Sequence, residues 1–198
     1  MKLTKTLLTA ASAALFSTAA MAGTFTITGG TPTTIANFEN ISTAGFTSEA
    51  GSATQYDVGA TLTTQNTSNV TFTFVGKEAG FTNVFFYFGN AVFNNQVALN
   101  TSVTFNNVGA GILNFGFQSN SAGSIFSNGS SQIGLMRNAD HTQALALFND
   151  LGGDRDYDDM GVKISVTAIP EPESYALMLA GLGLMGAIAR RRNKSAAL

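Results

Sequence analysis

The stretch "NVTFTFVG", Asn69 to Gly76, decides the fold class of this 198-residue chain. Apolar side chains occupy every second position of it, at Val70, Phe72 and Phe74, and threonine lies between them. Successive side chains of a β-strand point to opposite faces, so a period of two gives a strand with one apolar face. The stretch therefore predicts a strand that covers a hydrophobic core on one side and meets water on the other.

The same alternation recurs through residues 23–169, in "TFTIT", "SVTF", "ILNFGF" and "GVKISVTAI". Gly, Asn and Ser separate these segments, as in "NNVGAG" and "SNGSS", and such residues favour turns. The segment "TQALALFND" fits either a short helix or a strand. We therefore predict an all-β domain of about eight to ten short strands, folded as an antiparallel β-sandwich of jelly-roll type. The apolar faces outside the opening stretch contain Phe25, Ile27, Val103, Phe105, Phe115, Phe117, Val162, Ile164, Val166 and Ala168.

Residues 1–22 carry the three parts of a secretory signal peptide. A basic start precedes an apolar run from Leu7 to Phe16, and Ala20-Met21-Ala22 is a small-x-small cleavage site. Signal peptides have this order of parts. We predict an N-terminal signal helix that is cut before Gly23, so that the domain of residues 23–169 is exported.

The exported domain is acidic and lacks cysteine. Residues 23–169 contain ten acidic and four basic side chains, a net charge of −6, and the whole chain has no cysteine. Nucleic-acid binding needs a basic surface that neutralises phosphates, so this class of partner is excluded. Without disulfides the domain depends on its core, and a metal ion is the other stabiliser to look for.

Residues 170–198 have the composition of a membrane segment. Pro170-Glu171-Pro172 precedes 16 residues without a charge, Ser174 to Ala189, and the basic residues that follow are Arg190, Arg191, Arg192 and Lys194. A helix of that length extends about 24 Å at about 1.5 Å per residue, a thin fit to a hydrocarbon core of about 30 Å. Basic residues stay on the cytoplasmic side, so we predict a single transmembrane helix with a cytoplasmic stop.

The order of Pro-Glu-Pro, apolar run and arginine cluster resembles the PEP-CTERM sorting signal of Gram-negative bacteria. The resemblance implies export by the secretion translocon, a transient halt in the inner membrane, and cleavage near Pro-Glu-Pro by an exosortase, a membrane cysteine protease-transpeptidase. The domain would then reach the cell surface or the extracellular matrix, and bacteria with this system commonly make exopolysaccharide and biofilm. The segments "GGDRDYDDMGVKISV" and "VGKEAGFTN" resemble segments of such surface proteins, which have no assigned reaction.

Five carboxylates crowd into ten residues before the last predicted strand: Asp150, Asp154, Asp156, Asp158 and Asp159. Like charges repel, and Ca²⁺, which takes about six to eight oxygen ligands, would relieve that repulsion. The spacing is not that of an EF-hand, because the sixth position from Asp154 is not Gly and the twelfth is not Glu. The hypothesis is a Ca²⁺ site in a β-loop, and the alternative is a solvated acidic hairpin.

The sequence lacks the residue sets of the common catalytic sites. There is no cysteine nucleophile, His141 is the only histidine, and neither Ser130 nor Ser131 lies in a nucleophile elbow. We therefore predict a non-enzymatic surface or matrix protein, associated with exopolysaccharide and biofilm. The alternatives are a carbohydrate-binding module and, because of the paired acids, a glycoside hydrolase.

Overall fold

A computed structural model describes residues 23–34, 40–78, 80–120, 123–150, 156–169 and 172–195. The predicted signal peptide, residues 1–22, lies outside these ranges. Residues 23–169 form the β-domain within one compact unit, and the C-terminal helix belongs to a second unit.

The β-domain is built from short strands joined by turns. Its described residues contain fifteen strands: β1 (Phe25–Thr28), β2 (Thr31–Thr34), β3 (Phe46–Thr47), β4 (Gln55–Val58), β5 (Thr61–Thr64), β6 (Ser68–Gly76), β7 (Asn83–Tyr87), β8 (Asn90–Asn94), β9 (Ser102–Val108), β10 (Gly111–Ile112), β11 (Phe115–Ser119), β12 (Phe126–Ser127), β13 (Ile133–Asn138), β14 (Gln143–Phe148) and β15 (Met160–Ala168). The predicted number was too low, partly because β3, β10 and β12 have two residues each and are too short to show a period of two.

The strands form three sheets. The large sheet has eight strands in the order β2-β4-β13-β14-β15-β6-β9, with β3 also paired to β13. A four-stranded sheet has the order β12-β11-β7-β8, and a three-stranded sheet has the order β1-β5-β10. The pairings among these described strands are antiparallel, which confirms the prediction of an all-β antiparallel domain.

One hydrophobic core joins the three sheets. The large sheet contributes side chains of β6, β13, β14 and β15, while Phe25, Leu62, Phe85 and Phe117 come from the two small sheets. The core therefore lies between the large sheet and the small ones, as in a sandwich of two layers. Phe85 packs against Phe72 of the large sheet with ring centroids 4.9 Å apart, so an aromatic contact connects the layers. The jelly-roll connectivity stays a prediction.

The alternation read from the sequence is confirmed in the two long strands of the large sheet. Strand β6 buries Val70, Phe72 and Phe74 in the core, and β15 buries Val162 and Ile164 in the same way. These two strands pair along most of their length, so the stretch Asn69 to Gly76 lies inside the large sheet.

The ambiguous segment "TQALALFND" forms strand β14, which is buried on both faces. Ala144, Ala146 and Phe148 join the main core, whereas Leu145 and Leu147 belong to a second cluster on the outer face of the large sheet. A strand buried on both faces is apolar without interruption, which is why periodicity did not separate it from a helix. The second cluster also contains Ile41, Phe46, Tyr56, Met136 and Tyr157.

Helix α1 spans Pro172–Ser195 and contains the uncharged run. Pro172 stands at its first turn, where the missing N–H of proline costs no helical hydrogen bond. Within the described ranges, no helix has the combination of length and hydropathy required to cross a membrane. The tail prediction is therefore confirmed as a helix, and its membrane span stays a prediction.

Candidate functional sites

The acidic segment lies where β14 ends and β15 begins. Asp150 follows β14, and Asp159 comes directly before Met160, the first residue of β15. Because β14 and β15 pair antiparallel with Phe148 opposite Met160, both carboxylates lie at the same end of the large sheet. The backbone N–H of Asp150 donates to Asp159 Oδ2 at 2.8 Å, which brings the two residues into direct contact.

Asn83, the first residue of β7, joins this group from the four-stranded sheet. Its Nδ2 donates to Asp150 Oδ2 at 3.0 Å and to the carbonyl oxygen of Asp159 at 3.4 Å. The backbone N–H of Asn83 donates in turn to Asn95 Oδ1 at 3.2 Å. These polar contacts connect the two layers of the sandwich at this end. Sequence reasoning missed Asn83, although a polar residue on the core-facing side of "NVFFY" was the available signal.

Three carboxylates of this segment are buried. Asp150, Asp158 and Asp159 expose 0%, 1% and 5% of their surface. Buried carboxylates need hydrogen bonds or charge partners, because the interior solvates an ion poorly. The solvated hairpin that the sequence left open as an alternative is therefore wrong for these three residues.

The acidic segment also borders Tyr56 of β4. The rings of Tyr56 and Tyr157 lie 4.9 Å apart, and Tyr157 Oη donates to the carbonyl oxygen of Ser131 at 2.7 Å. Burial raises the pKa of the Tyr56 phenol well above its ordinary value of 10.0. The nearby ionisable groups of Tyr157, Asp156 and Asp158 raise that pKa further, so Tyr56 stays protonated at neutral pH.

The oxygen atoms of this site are of the type that Ca²⁺ prefers, but the described residues do not complete a metal site. Asn83 Oδ1 and Asp156 Oδ1 are buried and have no hydrogen-bond partner among the described residues. In that same part of the chain, no three His, Cys, Asp or Glu residues are placed to hold a metal ion. Asp154 lies outside the described ranges. The Ca²⁺ hypothesis therefore stays a prediction.

His141 lies in the turn between β13 and β14. Its Nε2 is 2.5 Å from Arg137 Nη1, and Arg137 Nε donates to Glu49 Oε2 at 2.6 Å. The carbonyl oxygen of His141 accepts the N–H of Phe25 at 2.7 Å, which attaches the start of β1 to this turn. The imidazole thus contacts an ion pair rather than a serine hydroxyl, and the prediction that the protein is not an enzyme stays a prediction.

The tail residues singled out by the sequence lie at both ends of α1. Pro170 and Glu171 are outside the described ranges, and Pro172 is the first residue of the helix. Arg190 and Arg191 are exposed near the end of the helix. Arg192 and Lys194 belong to the helix, and the structure describes their backbone but not their side chains.

The apolar side chains of α1 are exposed. Each of the following exposes between 47% and 65% of its surface: Tyr175, Leu177, Met178, Leu179, Leu182, Leu184, Met185 and Ile188. Helices with apolar side chains all round are normally covered by protein or lipid. The uncharged run of α1 therefore has large apolar side chains at the surface of the helix.

Comparison with known proteins assigns this tail. Residues 168–193 match the family model of the PEP-CTERM protein-sorting motif. No curated protein and no solved structure matches the chain. The matched range begins at the end of β15 and covers most of α1, so it includes both proline residues and the arginine cluster. Residues 168–193 of this chain are therefore a PEP-CTERM protein-sorting motif, the signal of proteins that are exported and processed by an exosortase.

Proposed function

We propose that the protein is a surface or matrix protein of a Gram-negative bacterium and that residues 170–198 are a tag removed during sorting. The secretion translocon exports the chain, α1 holds it in the inner membrane, and the exosortase cuts near Pro170-Glu171-Pro172. The β-domain then reaches the cell surface or the extracellular matrix. The observation that carries this proposal is the match of residues 168–193 to the sorting motif.

The surface of α1 supports the membrane step. Large exposed apolar side chains surround the helix over its uncharged run, and Arg190 and Arg191 follow at one end. Lipid covers such side chains, while arginine at one end favours the cytoplasmic side. A run of 16 residues is short, and a locally thinned bilayer together with snorkelling arginines accommodates it.

The role of the β-domain in this proposal is non-enzymatic and associated with exopolysaccharide and biofilm. His141 contacts Arg137, and the Asp150 carboxylate accepts a hydrogen bond from Asn83 of the four-stranded sheet. We also propose that Ca²⁺ stabilises the domain at the acidic segment, with Asp154 completing the ligand set. The buried oxygen atoms of Asn83 and Asp156 support that proposal.

The sorting step is tested by fractionating cells that express the full chain with an active exosortase. Deletion of residues 170–172 should leave the protein in the inner-membrane fraction at its unprocessed size, because the enzyme has lost its recognition sequence. The matched control deletes residues 196–198, which lie beyond the matched range, and should be released like the unaltered chain.

The two deletions give opposite readings if the proposal is right. Release of the 170–172 deletion at the mature size, in the same amount as the unaltered chain, would show that the proline segment plays no part in sorting. Retention of both deletions would show that release depends on the intact tail as a whole and not specifically on residues 170–172.

A further inference from the structure

One long segment of the β-domain contains no charged residue. Between Glu78 and Arg137 there are 58 residues, and none of them is Asp, Glu, Lys, Arg or His. This segment contains β7 to β12 and therefore the entire four-stranded sheet. The acidic net charge of the domain thus comes from other elements, and the four-stranded sheet presents only uncharged groups.

The outer face of the four-stranded sheet is defined by the alternation along β7. Phe85 and Tyr87 point into the main core, so Val84 and Phe86 point to the opposite side. Phe86 is part of neither core cluster and makes no ring contact with another described aromatic residue. Phe86 is partly exposed at this face.

Small residues flank Phe86 on both neighbouring strands. The residue opposite Phe86 on β8 is Ala91, and the residue opposite it on β11 is Gly116. Ile125 lies over Gly116, because a Cβ placed there would be 2.7 Å from Ile125 Cγ2. Ile125 is 42% exposed and extends the apolar surface beside Phe86.

Two amide side chains lie one row further along the same face. Val84 is opposite Asn94 on β8 and opposite Gln118 on β11, and this row is about 7 Å from Phe86, two residues along the strand. Asn94 Oδ1 accepts the backbone N–H of Gln96 at 2.9 Å, and this hydrogen bond holds the Asn94 amide in place. The amide of Gln118 has no hydrogen-bond partner among the described residues and is partly exposed.

We propose that this neutral face binds a segment of an uncharged polysaccharide; its residues are Val84, Phe86, Ala91, Asn94, Gln118 and Ile125. The C–H groups of a sugar ring pack against Phe86, and its hydroxyls exchange hydrogen bonds with the amides of Asn94 and Gln118. A polyanion or polycation would leave its charges unpaired on this face, which excludes charged polymers as the preferred occupant.

The size of the face favours a polysaccharide over a second copy of the chain. Strands β7, β8 and β11 have five residues each and β12 has two, so with strands about 4.8 Å apart the face covers roughly 250 Å². A stable protein–protein interface buries about 800 Å² on each partner. The face is therefore too small to hold a dimer together, whereas a narrow polymer chain fits it.

This inference rests on the proposed export, because the protein would meet the polysaccharide outside the cell. Polysaccharide binding and sorting are measured separately, so either proposal can fail without the other. Purified full chain in mild detergent is run in native gels that contain cellulose hydrolysate, dextran, β-1,3-glucan or anionic alginate. We expect retardation by at least one neutral polymer, with an affinity that Phe86→Ala and Gln118→Ala each lower about tenfold. Processing by the exosortase should be unchanged in both variants.

The matched control is Ile112→Ala, which removes a side chain that is 68% exposed in the three-stranded sheet, outside the neutral face. It should bind as the unaltered chain does, and circular dichroism should show all three variants folded. No retardation by any neutral polymer, retardation by alginate alone, or equal loss in Ile112→Ala would overturn the proposal. A change of sedimentation coefficient in Phe86→Ala without polysaccharide would assign the face to a second copy, and would equally overturn it.

Discussion

At the scale of single residues, Asn83 shows how a polar side chain holds two apolar layers in register. Its amide reaches from β7 to Asp150 and Asp159, which flank β14 and β15 in the large sheet. The acidic segment was visible in the sequence as a cluster of carboxylates. Its partner Asn83 was not visible, because the packing of the two sheets decides which strand end lies against the carboxylates.

The Asn83→Ala variant should therefore lose stability. Removal of the amide leaves the buried Asp150 carboxylate without one of its donors, and we expect a loss of about 2–4 kcal/mol in the free energy of unfolding. Urea unfolding measures this loss. Asn106→Ala, at an exposed position of β9, is the control and should change stability by less than about 0.5 kcal/mol. Equal stability of the two variants would contradict the bridging role of Asn83.

Tyr56 should make the domain less stable at alkaline pH. Its pKa is raised above the ordinary value of 10.0, so the folded state holds the phenolic proton more tightly than the unfolded state does. That contribution is complete below about pH 10 and is lost as the pH rises toward the folded pKa. Above about pH 10, the unfolding free energy of the unaltered protein should fall more steeply than that of Tyr56→Phe, by up to about 1.4 kcal/mol per pH unit. Parallel curves for the two proteins would show that Tyr56 is not the responsible group.

At the scale of elements, the long strands were predictable and the short ones were not. Strands β6 and β15 each have nine residues and a clear period of two, which burial of one face imposes. Strand β2, "TPTT", contains Pro32 and lies at an edge of the large sheet, where proline is tolerated. Such edge strands have no apolar face, so no periodic signal marks them.

A close contact between β13 and β4 gives a test at this scale. Gly134 of β13 lies under the ring of Tyr56, and a Cβ there would be 2.5 Å from Tyr56 Cδ2. Gly134→Ala should displace the ring and cost about 1–3 kcal/mol of unfolding free energy, as overpacking does. Gly109→Ala is the control, because a Cβ at Gly109 meets no atom within 4 Å. Thermal unfolding compares the two, and a Gly134→Ala protein as stable as the control would contradict this packing.

At the scale of the whole molecule, the chain consists of a folded β-domain and a C-terminal tail, and the two differ in function. The β-domain has one main core between two layers, and the residues of its four-stranded sheet are all uncharged. The tail has an exposed apolar helix that begins at Pro172. The order of parts in the tail was sufficient to predict its role from sequence. The role of the domain was not predictable, because the neutral face forms only when β7, already paired with β8, also pairs with β11, and the sequence does not show that pairing.

The Ca²⁺ proposal makes a prediction about the whole domain. A ligand that binds only the folded state stabilises it by RT ln(1 + [L]/Kd), so at a hundred times Kd the gain is about 2.7 kcal/mol. The melting temperature of the full chain should rise on addition of CaCl₂ and return in EGTA. Asp154→Asn should abolish the rise, and Mg²⁺ at the same concentration should give a smaller one. Identical melting in CaCl₂ and EGTA would remove Ca²⁺ from the account.

The intact mass of the protein released from cells tests the sorting claim most directly. The full chain is expressed in a bacterium with its exosortase and in a matched strain with the enzyme's active cysteine replaced. We expect the released protein to begin at Gly23 and to lack the apolar helix, and we expect the second strain to release none of this species. A released protein that retains residues 172–195 in both strains would contradict the sorting claim.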